Sequence, residues 1–187
     1  DFTLEMHPEK MPAIHGVNDE SHWEITFVDT GLDTLKGGRI KRLEKYIASD
    51  NFHLTYGDGV CGVNINELEE FHERHGKIGT VTGVHPPSRF GEMVCKDDIV
   101  THFEEKPQLS TGLINGGYFI FKKELLNSII SDTGCDFEFG PLQKLASEGE
   151  LKAYKFNGFW QCMDTIRERD YLNTLWESGT PPWKCWA

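Results

Sequence analysis

"FHLTYGDGV", residues 52–60, decides how this chain is read. An apolar run climbs to Tyr56 and breaks into Gly57-Asp58-Gly59, the pattern of a strand that ends on one carboxylate between two glycines. That ending fits an ordinary turn as well as it fits a metal ligand with room for a substrate. In open α/β sheets, ligands gather beyond the carboxyl ends of strands. The rest of the chain therefore has to say whether such a sheet exists and what else ends there.

Working outward, "WEITFVDTG" (23–31) alternates and reads as a strand running into a loop. "GGRIKRLEKYIASD" (37–50) reads as a helix, with Ile40, Leu43 and Ile47 at helical spacing. Two glycines and Arg39 at its start suit an anion held by backbone N–H groups, and suit equally a flexible start to a solvated helix. "NELEEFHERHGK" (66–77) reads as a helix capped by Asn66 with Glu69 as its capping-box partner, and ended by Gly76. Strands follow at "IGTVTGVHPP" (78–87), "IVTHFEEKP" (99–107), "LINGGYFIFKK" (113–123), "ELKAYKF" (150–156) and "GFWQCMD" (158–164). Helices are expected at "KELLNSII" (123–130), with Leu125, Leu126, Ile129 and Ile130 on one face, and at "GPLQKLASEGE" (140–150), with Pro141 in its first turn. The last helix is "TIRERDYLNTLWESG" (165–179).

Strands alternating with helices predict an α/β fold: a mixed, mostly parallel sheet flanked by helices, in one domain over 1–187. The two strands around Asn157-Gly158 are expected to pair antiparallel. The net charge of −11 argues against nucleic acid or an anionic membrane as partner, and no run of about 18 apolar residues occurs. Five widely spaced cysteines without a C-x-x-C read as reduced thiols in a cytoplasmic protein. His72 and His75 read as part of a solvated helix face rather than as zinc ligands. The first residue is Asp1, so a fragment or a processed product is expected.

A second carboxylate ends a strand at Asp164. Thr165 and Glu168 can cap the last helix between them, which leaves Asp164 without a structural task. Two carboxylates on separate strand ends suit Mg²⁺, which takes one or two protein oxygens and fills its shell with water and phosphate. Lys106, before Pro107, is a surface lysine by pattern and a phosphate-binding charge if it lies at the mouth of a site.

Taken together, "VDTG" (28–31), "GGRIKR" (37–42), "YGDGV" (56–60), "PPSRFG" (86–91), "EEKP" (104–107), "INGGYF" (114–119), "GFWQCMDT" (158–165) and "LWESGTPPWKCW" (175–186) resemble the hexose-1-phosphate nucleotidylyltransferase family, in its cytidylyl branch. The resemblance implies a Rossmann-like nucleotidyltransferase fold. It implies the reaction of CTP with α-D-glucose 1-phosphate to give CDP-glucose and pyrophosphate, for synthesis of dideoxyhexoses in surface polysaccharide. By similarity, Asp58 and Asp164 would hold Mg²⁺, and Thr30, Arg39 and Gly57 would contact the nucleotide. Glu105 would bind sugar hydroxyls and Lys106 the sugar and its phosphate, with Arg89, Gly91, Asn115 and Gly116 lining the sugar side. Sister enzymes using UTP or dTTP, or a non-catalytic sugar-phosphate or nucleotide-binding module, are the rival readings.

The departure from the family is at the front. Its strand and glycine-rich G-G-x-G-T-R-[LM] loop, which cradle the triphosphate, have no counterpart in these 187 residues. The expectation is therefore an N-terminally incomplete domain, inactive by itself, with a central strand's edge laid bare. The tail from 165 to 187, with Trp176, Trp183 and Trp186, is expected to pack on its own domain or on a second subunit of a homo-oligomer.

Overall fold

The computed structural model describes residues 2–3, 13–14, 23–86, 91–104 and 112–185. Its centre is the strand read from "INGGYFIFK". Phe119, Ile120 and Phe121 are all buried, so this strand is covered on both faces and hydrogen-bonded on both edges. Strands are numbered in chain order: β1 Phe2–Thr3, β2 Ala13–Ile14, β3 Asn51–Thr55, β4 Gly59–Cys61, β5 Gly79–Val84, β6 Glu92–Lys96, β7 Ile99–Glu104, β8 Ile114–Lys122, β9 Leu151–Phe156 and β10 Trp160–Cys162. The α-helices are α1 Lys36–Arg42, α2 Ile65–His75, α3 Gln143–Ser147 and α4 Ile166–Glu177.

The main sheet runs β3-β8-β5-β9. β8 pairs antiparallel with β3 and with β5, and β5 pairs parallel with β9. The sheet is mixed, as expected, but among the described residues it is not mostly parallel: β8 takes antiparallel neighbours on both edges, and β5–β9 is the parallel pair. The described residues also form three two-stranded ladders: β1–β2, β4–β10 and the hairpin β6–β7.

Period two along β8 separates the core into two layers. Phe119 and Phe121 point to one side, where they pack with Ile40, Leu125, Leu126, Ile129, Phe137 and Leu145. Ile120 points to the other side, with Val63 and Leu68, under α2. Phe137 meets both Phe119 and Phe121 edge-on, with ring centres 5.9 and 5.7 Å away. Each such buried ring contributes roughly 2–3 kcal/mol of hydrophobic stabilisation.

Several local expectations change. Residues 23–31 form no ladder, and Trp23, Ile25 and Phe27 are exposed, because no described strand lies beside them. The strands around Asn157-Gly158 do not pair with each other; β9 joins β5 and β10 joins β4. "KELLNS" coils as a 3-10 turn, Lys123–Ser128, which buries Leu125 and Leu126 and leaves Ile130 exposed. Pro141 lies inside a π-helical turn, Glu138–Leu142, that runs into α3. The cap of α2 is Asn64, whose side chain accepts from the Asn66 N–H at 3.1 Å, and Gly76 ends the helix in the left-handed region at φ 67°.

His72 is the sharpest correction. Leu68, Phe71, His72 and His75 share one stripe of α2, and that stripe faces the sheet. His72 is 1% exposed, with Nδ1 2.8 Å from the Thr80 hydroxyl; His75 Nε2 reaches the same oxygen at 2.7 Å. Burial first, then the nearby His75 and Lys122, lowers the His72 pKa from 6.5 to about 4. Its neutral form is thus the folded form, while the unfolded chain takes up a proton near pH 6.5. Stability is full above that value and falls as the pH drops towards 4, by on the order of 2–3 kcal/mol from this residue. Urea unfolding at pH 7, 6, 5 and 4.5 is expected to show that decline. His72→Gln is expected to lower stability at pH 7 and to flatten the slope.

Candidate active site

The short ladder β4–β10 brings the two strand-end carboxylates together. Its register runs Trp160↔Cys61, Gln161↔Val60 and Cys162↔Gly59, and the Met163 N–H extends it to the Asp58 carbonyl at 2.7 Å. Asp58 and Asp164 therefore leave the same end of one ladder, both exposed. Beyond Asp164, Thr165 caps α4: its hydroxyl accepts from the Glu168 N–H at 3.2 Å. The Glu168 carboxylate accepts in return from the N–H groups of Thr165 and Asp164, each at 2.9 Å. The cap is complete without the Asp164 carboxylate.

Cys162 Sγ lies in a group with Asp164 and Glu168 in which all ligand atoms fall within 4.8 Å of one another. Burial, and after it the bond to Asp164 and the two carboxylate charges, pushes the Cys162 thiol up to about 11. The thiol donates to Asp164, and the Glu168 carboxylate is already engaged in the cap. The exposed oxygens of Asp58 and Asp164 are hard donors, and they fit Mg²⁺.

A cavity of about 920 Å³ opens over these carboxylates. One wall is Tyr56, Asp58 and Gly59; another is Trp160, Gln161 and Asp164, with Arg167 from the first turn of α4. The third wall is a bulge in β8. Val81 pairs with Phe119 but Gly83 pairs with Asn115, so β8 carries two more residues than β5 across this interval. Gly117 turns there at φ +79°, and a Cβ on it would stand 2.9 Å from the Tyr56 ring. The Gly116 carbonyl, bulged out of the ladder, accepts from Trp160 Nε1 at 2.8 Å. The glycine pair thus shapes the cavity from inside the strand.

Of the residues singled out from sequence, Asp58, Asp164, Asn115 and Gly116 line this cavity. Gly57 is exposed beside Asp58, and Gly91 lies just before β6, away from the lining. Arg89, Glu105, Lys106 and Trp186 are outside the described residues. Thr30 and Arg39 meet each other elsewhere: Arg39 donates to the Thr30 hydroxyl at 2.8 Å and to the Leu32 carbonyl at 2.9 Å. The glycines before Arg39 serve packing. The Gly38 N–H donates to the Cys135 carbonyl at 3.2 Å, and a Cβ on Gly38 would fall 2.3 Å from the Asp132 carbonyl oxygen. Tyr56, Trp160 and Arg167 were not singled out, although Tyr56 stands directly before the Gly-Asp-Gly signal.

Residues 22–174 match the family model described as nucleotidyl transferase. The chain is 41% identical, over all of its length and 72% of the relative's, to a glucose-1-phosphate cytidylyltransferase from Salmonella typhimurium. It is 36% identical, over 68% of its length and 36% of the relative's, to a mannose-1-phosphate guanylyltransferase catalytic subunit beta from Xenopus tropicalis. The crystal structure of HddC from Yersinia pseudotuberculosis shares the fold, with a TM-score of 0.54 at 24% identity over 73% of this chain and 60% of that one.

The partly buried Cys162 thiol gives a direct check of the geometry. Iodoacetamide at pH 8 is expected to label Cys162 at least about tenfold more slowly than the exposed Cys95 and Cys185, as read by peptide mass spectrometry. Asp164→Asn, which removes one carboxylate charge beside the thiol, is expected to speed labelling of Cys162.

Proposed function

The chain belongs to the nucleotidyl transferase family, and on that premise we propose that it serves the transfer of a cytidylyl group from CTP to α-D-glucose 1-phosphate. The observation that carries this reading is the meeting of Asp58 and Asp164 over one cavity, in a chain 41% identical throughout to a cytidylyltransferase. In the proposed reaction a phosphate oxygen of the sugar phosphate attacks the α-phosphorus of CTP. The bond from that phosphorus to the bridging oxygen breaks, and pyrophosphate leaves. Such a displacement needs positioning and charge neutralisation rather than a covalent nucleophile.

The roles follow the chemistry of the walls. Asp58 and Asp164 would hold Mg²⁺, which when bound neutralises charge on the phosphates. Gly57 and Gly59 leave the backbone approachable beside Asp58. Arg167 is the cation among the described lining residues, and it faces the phosphate region in this reading. Asn115 and Gly116 would meet the sugar side, with Arg89, Gly91, Glu105 and Lys106 joining them on the strength of the resemblance. Thr30 and Arg39 would meet the nucleotide by rearranging the bonds that now hold their loop. Among the described residues no helix is long and apolar enough to cross a membrane, and a cytoplasmic homo-oligomer remains part of the proposal.

The test is pyrophosphate release with glucose 1-phosphate, Mg²⁺ and each of CTP, UTP, dTTP and GTP. The protein for it joins these residues to a G-G-x-G-T-R-[LM] loop, a motif that the 187 residues do not contain. CTP is expected to be the preferred nucleotide, and equal use of UTP or dTTP would overturn the assignment. The 187 residues alone are expected to stay at background. Asp58→Asn is expected to cut Mg²⁺-dependent turnover by at least roughly a hundredfold, a loss typical of removing one charge-stabilising group from such a site.

A further inference from the structure

Tyr56 lines the cavity, and the proposed chemistry gives its hydroxyl no part. That hydroxyl donates to Glu138 Oε1 at 2.5 Å, and the Asn115 amide nitrogen donates to the hydroxyl oxygen at 3.1 Å. Asn115 Oδ1 accepts from the Gly117 N–H at 2.9 Å. Lys36, from the first turn of α1, pairs with the same Glu138 oxygen, and its ammonium stands 5.4 Å from the centre of the Tyr56 ring. Glu138 is fixed in its turn: its N–H and that of Phe139 donate to Asp136 Oδ1 at 2.9 and 3.1 Å, next to the fully buried Phe137.

These contacts set the direction of every bond. Burial and the bond to Glu138 hold the Tyr56 phenol far above its ordinary range, so it keeps its proton. A phenol has one proton, and this one goes to the carboxylate; towards Asn115 it can only accept. Asn115 must therefore turn its nitrogen to Tyr56 and its oxygen to Gly117. One N–H of the amide is left over, in a residue that lines the cavity.

We propose that Tyr56 and Glu138 are positioning residues, which orient the Asn115 amide so that its remaining N–H donates to an oxygen of bound glucose 1-phosphate. The inference rests on the reading of this cavity as a sugar-phosphate site. It gives the π-helical turn of Glu138 a task at the cavity, 82 residues away in sequence from the tyrosine it holds. An orienting group of this kind adds no contact of its own to the ligand. It removes the amide's alternative rotamers before the ligand arrives.

Calorimetric titration of the protein with glucose 1-phosphate tests it, with a thermal melt of each variant alongside. Asn115→Ala is expected to weaken binding about tenfold, the worth of one hydrogen bond to a neutral or charged oxygen. Tyr56→Phe is expected to weaken it by several-fold, and the double variant Tyr56→Phe/Asn115→Ala to bind no more weakly than Asn115→Ala alone. Glu138→Ala is expected to act like Tyr56→Phe, and Glu138→Gln, whose carbonyl still accepts from the phenol, to restore most of the affinity. A purely structural role would lower the melting temperature and leave the affinity alone. Tyr56→Phe at unchanged affinity, or single effects that multiply in the double variant, overturns the proposal. No binding by the unmodified protein at millimolar glucose 1-phosphate overturns the reading of the cavity itself, and the proposal with it.

Discussion

The hydrogen bonding of β8 on both edges is the constraint from which the rest follows. A strand whose residues 119–121 are buried on both faces must satisfy every peptide group through its neighbours, because no water reaches them. β3 and β5 supply those partners over most of its length. Where the ladder to β5 slips, at Gly116 and Gly117, the freed groups must find others. The Gly116 carbonyl takes the Trp160 indole N–H, while on the other edge the Gly117 carbonyl takes the Tyr56 N–H at 3.0 Å and carries the β3 ladder one step past Thr55. Both partners are cavity residues. The site is assembled by the need to satisfy one interrupted strand.

That origin explains why the walls come from distant parts of the chain yet hold one shape. Tyr118 ties the same strand to β4 through the Gly59 carbonyl at 2.9 Å, and β4 in turn holds β10. Asp58 and Asp164 therefore sit on opposite strands of a ladder whose position is fixed relative to the bulge. Little of this depends on the solvent-exposed salt bridges, whose individual contributions in water are small.

What the sequence made legible was what is local. β3, β5 and β8 were evident as short apolar or β-rich runs bounded by glycine and proline. The end of α2 at Gly76 and the Thr165–Glu168 cap of α4 are short-range chemistry, visible within four residues. Asp164's freedom from the cap was legible for the same reason. The pairing of β10 with β4 was not, because register between strands some 100 residues apart leaves no local mark. His72 was misread because a polar letter occupied an apolar position of the stripe, and its Nδ1 finds its partner in Thr80, on the next strand. Glu138 was invisible as a site residue, since its partners Lys36 and Tyr56 lie far upstream. Residues 23–31 have the alternation of a strand, but alternation cannot say whether a neighbour is present.

The exposed row of Trp23, Ile25 and Phe27 has a consequence for the protein as a colloid. Three large apolar side chains at alternate positions form a sticky strip, of the sort through which chains adhere edge to edge. A net charge of −11 sets molecules of this chain against one another at a distance. The range of that repulsion is about 10 Å at 0.1 M salt and shrinks to about 3 Å at 1 M, whereas adhesion between apolar strips does not weaken with salt. Dilute buffer therefore keeps the molecules apart, and concentrated salt turns the same surface into glue.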